Sequence, residues 1–189
     1  MGKLLTDKEL IAEIKLGSQS AMEVFVKRYY KMAYSFIYRK VTDKDIASDL
    51  TQEVLMKMLK KINSYSDKGE FKNWLLTIAS NHCRDFFKSK EFRHFSNLKE
   101  LNDNHSTEED VTFIFNNNEK RRTIKTALQC LPDFQSEVII LKYYHDLKIK
   151  EIADVTKTSE STVKSRLKQG ISKLKIFLRK DDFYEENRK

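Results

Sequence analysis

The chain has 189 residues, a formal net charge of +8, one proline, four glycines and two cysteines. Sheets need turns, and turns draw on glycine and proline, so the scarcity argues against β architecture and for an all-α protein of one or two small domains. Cys83 and Cys130 stand far apart without metal-ligand spacing, which argues against a disulfide framework and fits a reducing compartment. No run of about 18 apolar residues occurs, and the N-terminus turns polar at Thr6 with no signal-peptide core. A cytoplasmic chain without membrane insertion is expected.

Charge is unevenly placed. Residues 1–90 hold 17 Lys and Arg against 11 Asp and Glu, and residues 119–180 hold 15 against 7. Between them, residues 91–118 hold 2 against 6. Two basic blocks joined by an acidic segment suggest two modules that meet a polyanion.

Leu5, Thr6, Glu9 and Leu10 spell a capping box with a hydrophobic staple, so a helix is predicted from Thr6 to about Gly17. Ser18 caps a second helix, which runs to about Lys40. Its aromatics, Phe25, Tyr29, Tyr30, Tyr34, Phe36 and Tyr38, are too many for one face. Most are expected in the core, with one or two exposed. Thr42 to Asp45 cap a third helix that runs to about Ile62. Ile46, Leu50, Val54, Met58 and Ile62 repeat at every fourth residue and are expected to be buried. Asp45, Asp49, Gln52, Met56 and Lys60 form another stripe. A methionine beside acids and an amide suits a protein contact better than plain solvent surface.

Asn63 to Glu70 reads as a polar loop holding one aromatic, Tyr65. Phe71 to Lys88 reads as a helix with Trp74, Leu75, Ile78, Ala79, His82 and Phe86 on its apolar side. Lys72, Asn73, Asn81, Arg84 and Lys88 lie on the remainder. Rings beside cations and amides, next to a flexible loop, match what single-stranded nucleic acid needs. Trp74 taken alone reads as core rather than platform. Residues 91–118 read as a flexible linker, interrupted by Val111, Phe113, Ile114 and Phe115.

A helix follows from Glu119 to about Cys130, and Leu131-Pro132 restarts the chain. The next helix carries Val138, Ile139, Leu141 and Tyr144. Leu147 to Leu178 then reads as a helix-turn-helix. Ser159 stands where an N-cap is wanted. Val163, Leu167, Ile171, Leu174 and Leu178 mark a buried face. Lys164, Ser165, Lys168, Gln169, Ser172 and Lys175 mark the outward one. Such a helix suits a DNA major groove, with early residues at base edges and later cations on phosphates. Residues 181–189 read as a frayed tail.

The order of these features resembles the extracytoplasmic-function (ECF) group of sigma-70 family RNA polymerase sigma factors. The resemblance covers about residues 8–90 and 119–178. Asp45 to Lys57 resembles the region 2 helix that grips the clamp helices of the polymerase β′ subunit. Phe71 to Lys90, with Trp74-Leu75, Ile78-Ala79, Asn81 and Asp85, resembles the promoter-melting segment. Leu131-Pro132, Glu151-Ile152-Ala153 and Ser161 to Leu167 resemble the region 4 helix-turn-helix that reads the −35 element.

The resemblance implies two small helical domains, region 2 over 1–90 and region 4 over 119–180, joined by the linker 91–118. It implies a non-enzymatic factor that binds core RNA polymerase (β′ clamp helices and β subunit), reads −35 and −10 promoter elements and promotes melting. Asp45, Asp49, Gln52, Glu53 and Met56 would hold polymerase. Asn63, Tyr65, Ser66, Lys68, Asn73, Asn81, Arg84 and Lys88 would take the single-stranded −10 region. Thr162, Lys164, Ser165, Arg166, Lys168 and Gln169 would face the −35 duplex, with Arg166 on a phosphate or in the domain's own packing. The linker would thread toward the RNA exit channel. An anti-sigma partner is implied as well.

The chain departs from the family pattern at three places. Lys157 and Thr158 stand where the turn usually has glycine and an aliphatic residue, which implies left-handed strain at Lys157. Ser48 stands where an acid is frequent. A rival reading is a helix-turn-helix regulator that works without polymerase, but it leaves the Asp45–Met56 stripe without a role. An enzyme is the other rival, on His82, Cys83 and Asp85. On a helix the first two point about 100° apart, and no third partner or oxyanion-type glycine loop is visible. No catalytic activity, cofactor or metal is expected.

Overall fold

The computed structural model describes residues 5–66, 70–89 and 123–186, with side-chain surroundings given as far as Leu178. Every regular element among the described residues is helical. In chain order they are α1 (Asp7–Lys15), α2 (Gln19–Val41), α3 (Lys44–Lys61), a 3₁₀ turn (Ile62–Ser64) and α4 (Phe71–Lys88). A helical segment over 123–129 is α5. Then come α6 (Asp133–Tyr143), α7 (Ile149–Thr156) and α8 (Glu160–Glu186). The chain divides into two compact units. The first takes in the described residues up to Cys83 together with Ala153–Lys157, and the second Arg84–Ile152 with the residues from Thr158 onward. The linker predicted over 91–118 lies outside the described residues.

Local hydrogen bonds start the helices where the sequence predicts. Thr6 and Glu9 form the reciprocal capping box of α1, and the Glu9 carboxylate accepts from Thr6 N at 2.7 Å. Gly17 takes the left-handed conformation, φ 91°, just beyond the helix. Ser18 Oγ caps α2, and Asp43 caps α3 by accepting from Asp45 N and Ile46 N. A cap of this kind stabilises a helix by about 1 kcal/mol.

In the first unit, α2 packs on both α1 and α3. Leu10, Phe25, Ala33, Phe36, Ile37, Val54, Met58, Leu75 and Leu76 are fully enclosed. Leu50 and Ile62 are buried as the fourfold spacing requires, while Ile46 is half-buried. Phe25, Tyr29 and Phe36 are core residues. Tyr30, Tyr34 and Tyr38 instead form a stacked row along α2, with ring planes within 9° and 4° of parallel. At one end of the unit, Asp7 accepts from both Arg28 and the Tyr29 hydroxyl. Burial and that bond to a carboxylate push the Tyr29 phenol well above its ordinary value.

Tyr65 departs from the expectation of a loop aromatic open to bases. It is 8% exposed, and its ring centroid lies 5.1 Å from Phe71 and 5.0 Å from Trp74. Phe71 in turn meets Phe25 at 4.6 Å and Tyr29 at 4.8 Å. Lys15 Nζ donates to the Tyr65 carbonyl at 3.0 Å, pinning the backbone as well. The ring is enclosed because a phenol gains more from an aromatic cluster than from water.

In the second unit, α6 packs on α8. Val138, Ile140, Leu141, Leu147, Ile152 and Val163 are enclosed. Gly170 permits a close approach there, because a Cβ at that position would lie 2.7 Å from Ile139 Cδ1 and 3.4 Å from Gln135 Cβ. The buried face expected along α8 is only partly covered. Val163 and Leu167 are buried, Ile171, Leu174 and Leu178 are half-buried, and Ile176 and Phe177 are exposed. An 11-residue helix cannot cover a 27-residue one at 1.5 Å per residue. The backbone also differs from the expected tail, because α8 continues to Glu186. No glycine or proline follows Gly170 to stop it.

Between α7 and α8, Lys157 has φ 53°, the left-handed conformation expected of the residue in the usual glycine position. Two outcomes are expected. Lys157→Gly relieves the strain and raises stability by up to about 1 kcal/mol, read as a higher thermal midpoint. Tyr65→Ala opens the aromatic cluster and lowers stability by about 3 kcal/mol in urea unfolding, whereas Tyr65→Phe costs less than about 1 kcal/mol. Unchanged stability in Tyr65→Ala would show the ring to be dispensable for packing.

Candidate functional site

The helix α3 has two unlike faces. Its inner face is held by the buried Ala47, Leu50, Thr51, Val54, Leu55 and Met58. Asp45, Asp49, Gln52, Glu53 and Met56 are all exposed. Steps of four, three and four residues put Asp45, Asp49, Gln52 and Met56 on one stripe. Met56 is 56% exposed, an unusual position for an apolar side chain among carboxylates. Glu53 is additionally tied down: its Oε2 lies 2.8 Å from His82 Nε2, and Lys57 Nζ lies 2.7 Å from His82 Nδ1. The ring of α4 thus sits between two charged residues one turn apart on α3. His82 is a packed residue held between these partners. Cys83 is buried and forms no disulfide. Among the described residues no cluster of His, Cys, Asp and Glu has the makings of a metal site, and no helix is long and apolar enough to cross a membrane.

The second set lies around the 3₁₀ turn and α4. Asn63 and Ser66 are exposed at the edge of the turn, whereas the Tyr65 ring between them points into the core. Lys68 lies outside the described residues. On α4, Asn73, Asn81, Arg84 and Lys88 fall on one stripe, with Thr77 completing it. The first three are half-buried and Lys88 is exposed. Arg84 lies 3.7 Å from the carboxylate of Glu137, which is itself buried. Trp74 is half-buried and packs at a tilt of 53° against both Phe71 and Tyr65, as a core residue would. Of this set the structure therefore offers amides, a hydroxyl and cations, but not the Tyr65 ring.

The third set lies on α8. Ser159 Oγ accepts from Thr162 N at 3.2 Å and lies 2.8 Å from the hydroxyls of Ser161 and Thr162. Thr162 is thereby part of the cap. Lys164, Ser165, Lys168, Gln169, Ser172 and Lys175 are exposed. The lysines repeat at four and seven residues, so a cationic stripe runs down one side of the helix. Arg166 is drawn into packing, with its guanidinium over the Phe134 ring at 5.3 Å. Gln169 is not a free amide: its Oε1 accepts from Gln135 Nε2 at 2.9 Å, and its Nε2 donates to Ser165 Oγ at 3.2 Å. Gln135 did not stand out in the sequence. The available signal was a lone amide at helical spacing among Leu131, Val138 and Ile139, all of them apolar and buried.

These surfaces can be set beside known proteins. Residues 25–93 match the family model for sigma-70 region 2, and residues 121–174 match that for sigma-70 region 4. The chain is 28% identical over 157 residues to the RNA polymerase sigma factor SigV of Bacillus subtilis, covering 82% of this chain and 86% of that protein. It is also 28% identical over 158 residues to the ECF RNA polymerase sigma factor BldN of Streptomyces coelicolor, covering 83% of this chain but 60% of that longer protein. In fold it is similar to the sigma factor RpoE of Bartonella quintana, solved in complex with the anti-sigma factor NepR. The TM-score is 0.62 at 22% identity, over 83% of this chain and 96% of that one. The chain belongs to the extracytoplasmic-function group of the sigma-70 family of RNA polymerase sigma factors.

Proposed function

We propose that this sigma factor grips core RNA polymerase through the outer stripe of α3, takes the unstacked −10 strand along the 3₁₀ turn and α4, and reads the −35 duplex with the start of α8. The observation that carries the reading is the separation of faces on α3. Asp45, Asp49, Gln52 and Met56 are all exposed on a helix whose other side is fully committed to the core. Nothing in the packing of the unit requires a methionine there. A thioether between carboxylates fits a partner helix that brings both apolar and basic side chains.

In the −10 region, Asn63, Ser66, Asn73 and Asn81 supply groups that can hydrogen-bond base edges, and Arg84, Lys68 and Lys88 supply backbone charge. Unstacking a base costs a few kcal/mol, which stacking and phosphate contacts must offset. Tyr65 supports this surface from beneath. At the −35 element, Lys164 and Lys168 approach the groove with Ser165 and Gln169, and Arg166 braces the helix on Phe134. A cytoplasmic setting, the lack of catalytic activity and control by an anti-sigma protein belong to the same reading. The anti-sigma partner of the structurally similar RpoE supports the last.

Run-off transcription tests the whole. With core polymerase and fragmented genomic DNA, the chain is expected to yield new transcripts at a fixed distance below a shared two-part motif. Duplex binding by the chain alone, without transcripts, would favour a regulator independent of polymerase. Asp49→Lys combined with Gln52→Ala is expected to abolish polymerase binding in a pull-down while helical content by circular dichroism stays unchanged. Lys168→Ala is expected to alter base preference in the −35 element by about 1–3 kcal/mol at the affected position, read from competition binding of the holoenzyme. Identical selectivity in that variant would remove α8 from the −35 assignment.

A further inference from the structure

The second unit contains a contact that the cationic stripe does not need. Gln135 is 2% exposed on α6, next in sequence to the likewise buried Ser136 and Glu137. Its Nε2 donates to Gln169 Oε1, but its own Oε1 is buried with no hydrogen-bond partner. An orphaned buried acceptor destabilises a fold, so stability does not account for this amide. What Gln135 reaches is an exposed amide on the outward part of α8. It reaches it because Gly170 lets α6 and α8 approach closely at that level.

A glutamine on a recognition helix has three side-chain torsions, the last of them broad. Left free, it can turn either its carbonyl or its amino group toward a base, and so accept from one base and donate to another. Here the amide is held at both ends, by Gln135 on one side and Ser165 on the other. Turning both amides through 180° would exchange donors and acceptors, yet the same three residues would hold the group in the same plane. A side chain already fixed loses less freedom on binding and presents a single pattern.

We infer that Gln135 is a positioning residue for promoter reading. From beneath the recognition helix it fixes the amide of Gln169, and so sets the base discrimination at one position of the −35 element. The inference rests on the reading of α8 as the −35 helix.

The test uses the full chain with core polymerase and a promoter library randomised across the −35 element. Gln135→Met keeps the volume and removes the hydrogen bond. It is expected to lower discrimination at one position by about fivefold or more and to leave the other positions as they were. Its thermal midpoint is expected to equal or exceed that of the parent. Gln169→Ala is expected to lose the preference at that same position, and adding Gln135→Met to it changes nothing further. Ser165→Ala, on the exposed side, releases the other end of the amide. It is expected to lower discrimination at the same position, whatever contact Ser165 makes itself, so the test survives if Gln135→Met fails to fold. Parental discrimination in both Gln135→Met and Ser165→Ala, with Gln169→Ala altered, would overturn the inference and leave the −35 reading standing. So would an equal loss at every position, or an effect of Gln135→Met that persists without Gln169. If Gln169→Ala changes no position, Gln169 does not read the −35 element and the inference falls with that assignment.

Discussion

The first unit depends on one aromatic cluster. Phe25 and Tyr29 from α2, Tyr65 from the segment after α3, and Phe71 and Trp74 from α4 meet with ring centroids 4.6 to 5.2 Å apart. Together with the buried Ile62 and the Lys15 bond to the Tyr65 carbonyl, the cluster holds the segment after α3 against the bundle. With it, a ring and a backbone carbonyl are fixed, and the polar residues on either side, Asn63 and Ser66, are carried to the surface. Loops that present binding groups work when a rigid scaffold sets their ends. Here the scaffold enters the loop itself.

The second unit is organised differently. Its helix α8 is long, and α6, which packs on it, is short. At Gly170 the missing Cβ leaves room for Ile139 and Gln135 of α6 to come close. Close packing at one level transmits position rather than broad burial. The ring of Phe134 under Arg166 and the amide of Gln135 against Gln169 are two instances of α6 addressing the outward part of α8.

Much of this was legible in the sequence, for physical reasons that differ by element. The caps at Thr6, Ser18, Asp43 and Ser159 are local, since donor and acceptor lie within three residues. The two faces of α3 were legible because a buried helix must repeat its apolar residues at 3.6. The left-handed turn at Lys157 followed from the position a glycine usually fills. Tyr65 was not legible, because its burial depends on Phe71, Trp74 and Phe25, rings that only the folded chain brings together. The pairing of His82 with Glu53 and Lys57, and that of Gln135 with Gln169, likewise join distant segments. The end of α8 was not legible for another reason. An acidic terminal stretch has the composition of a tail, but composition does not stop a helix that has no breaker.

The outer stripe of α3 has a further consequence. Asp45, Asp49 and Glu53 stand exposed in a unit whose net charge is otherwise positive. A polyanion that drifts within about 8 Å of them, one screening length at physiological salt, is repelled rather than captured. If α3 carries the polymerase contact proposed above, these carboxylates would disfavour encounters in which nucleic acid covers that helix. Such protection is kinetic in character and fades as salt rises. The order of assembly, protein partner before promoter, would then be favoured by surface charge alone.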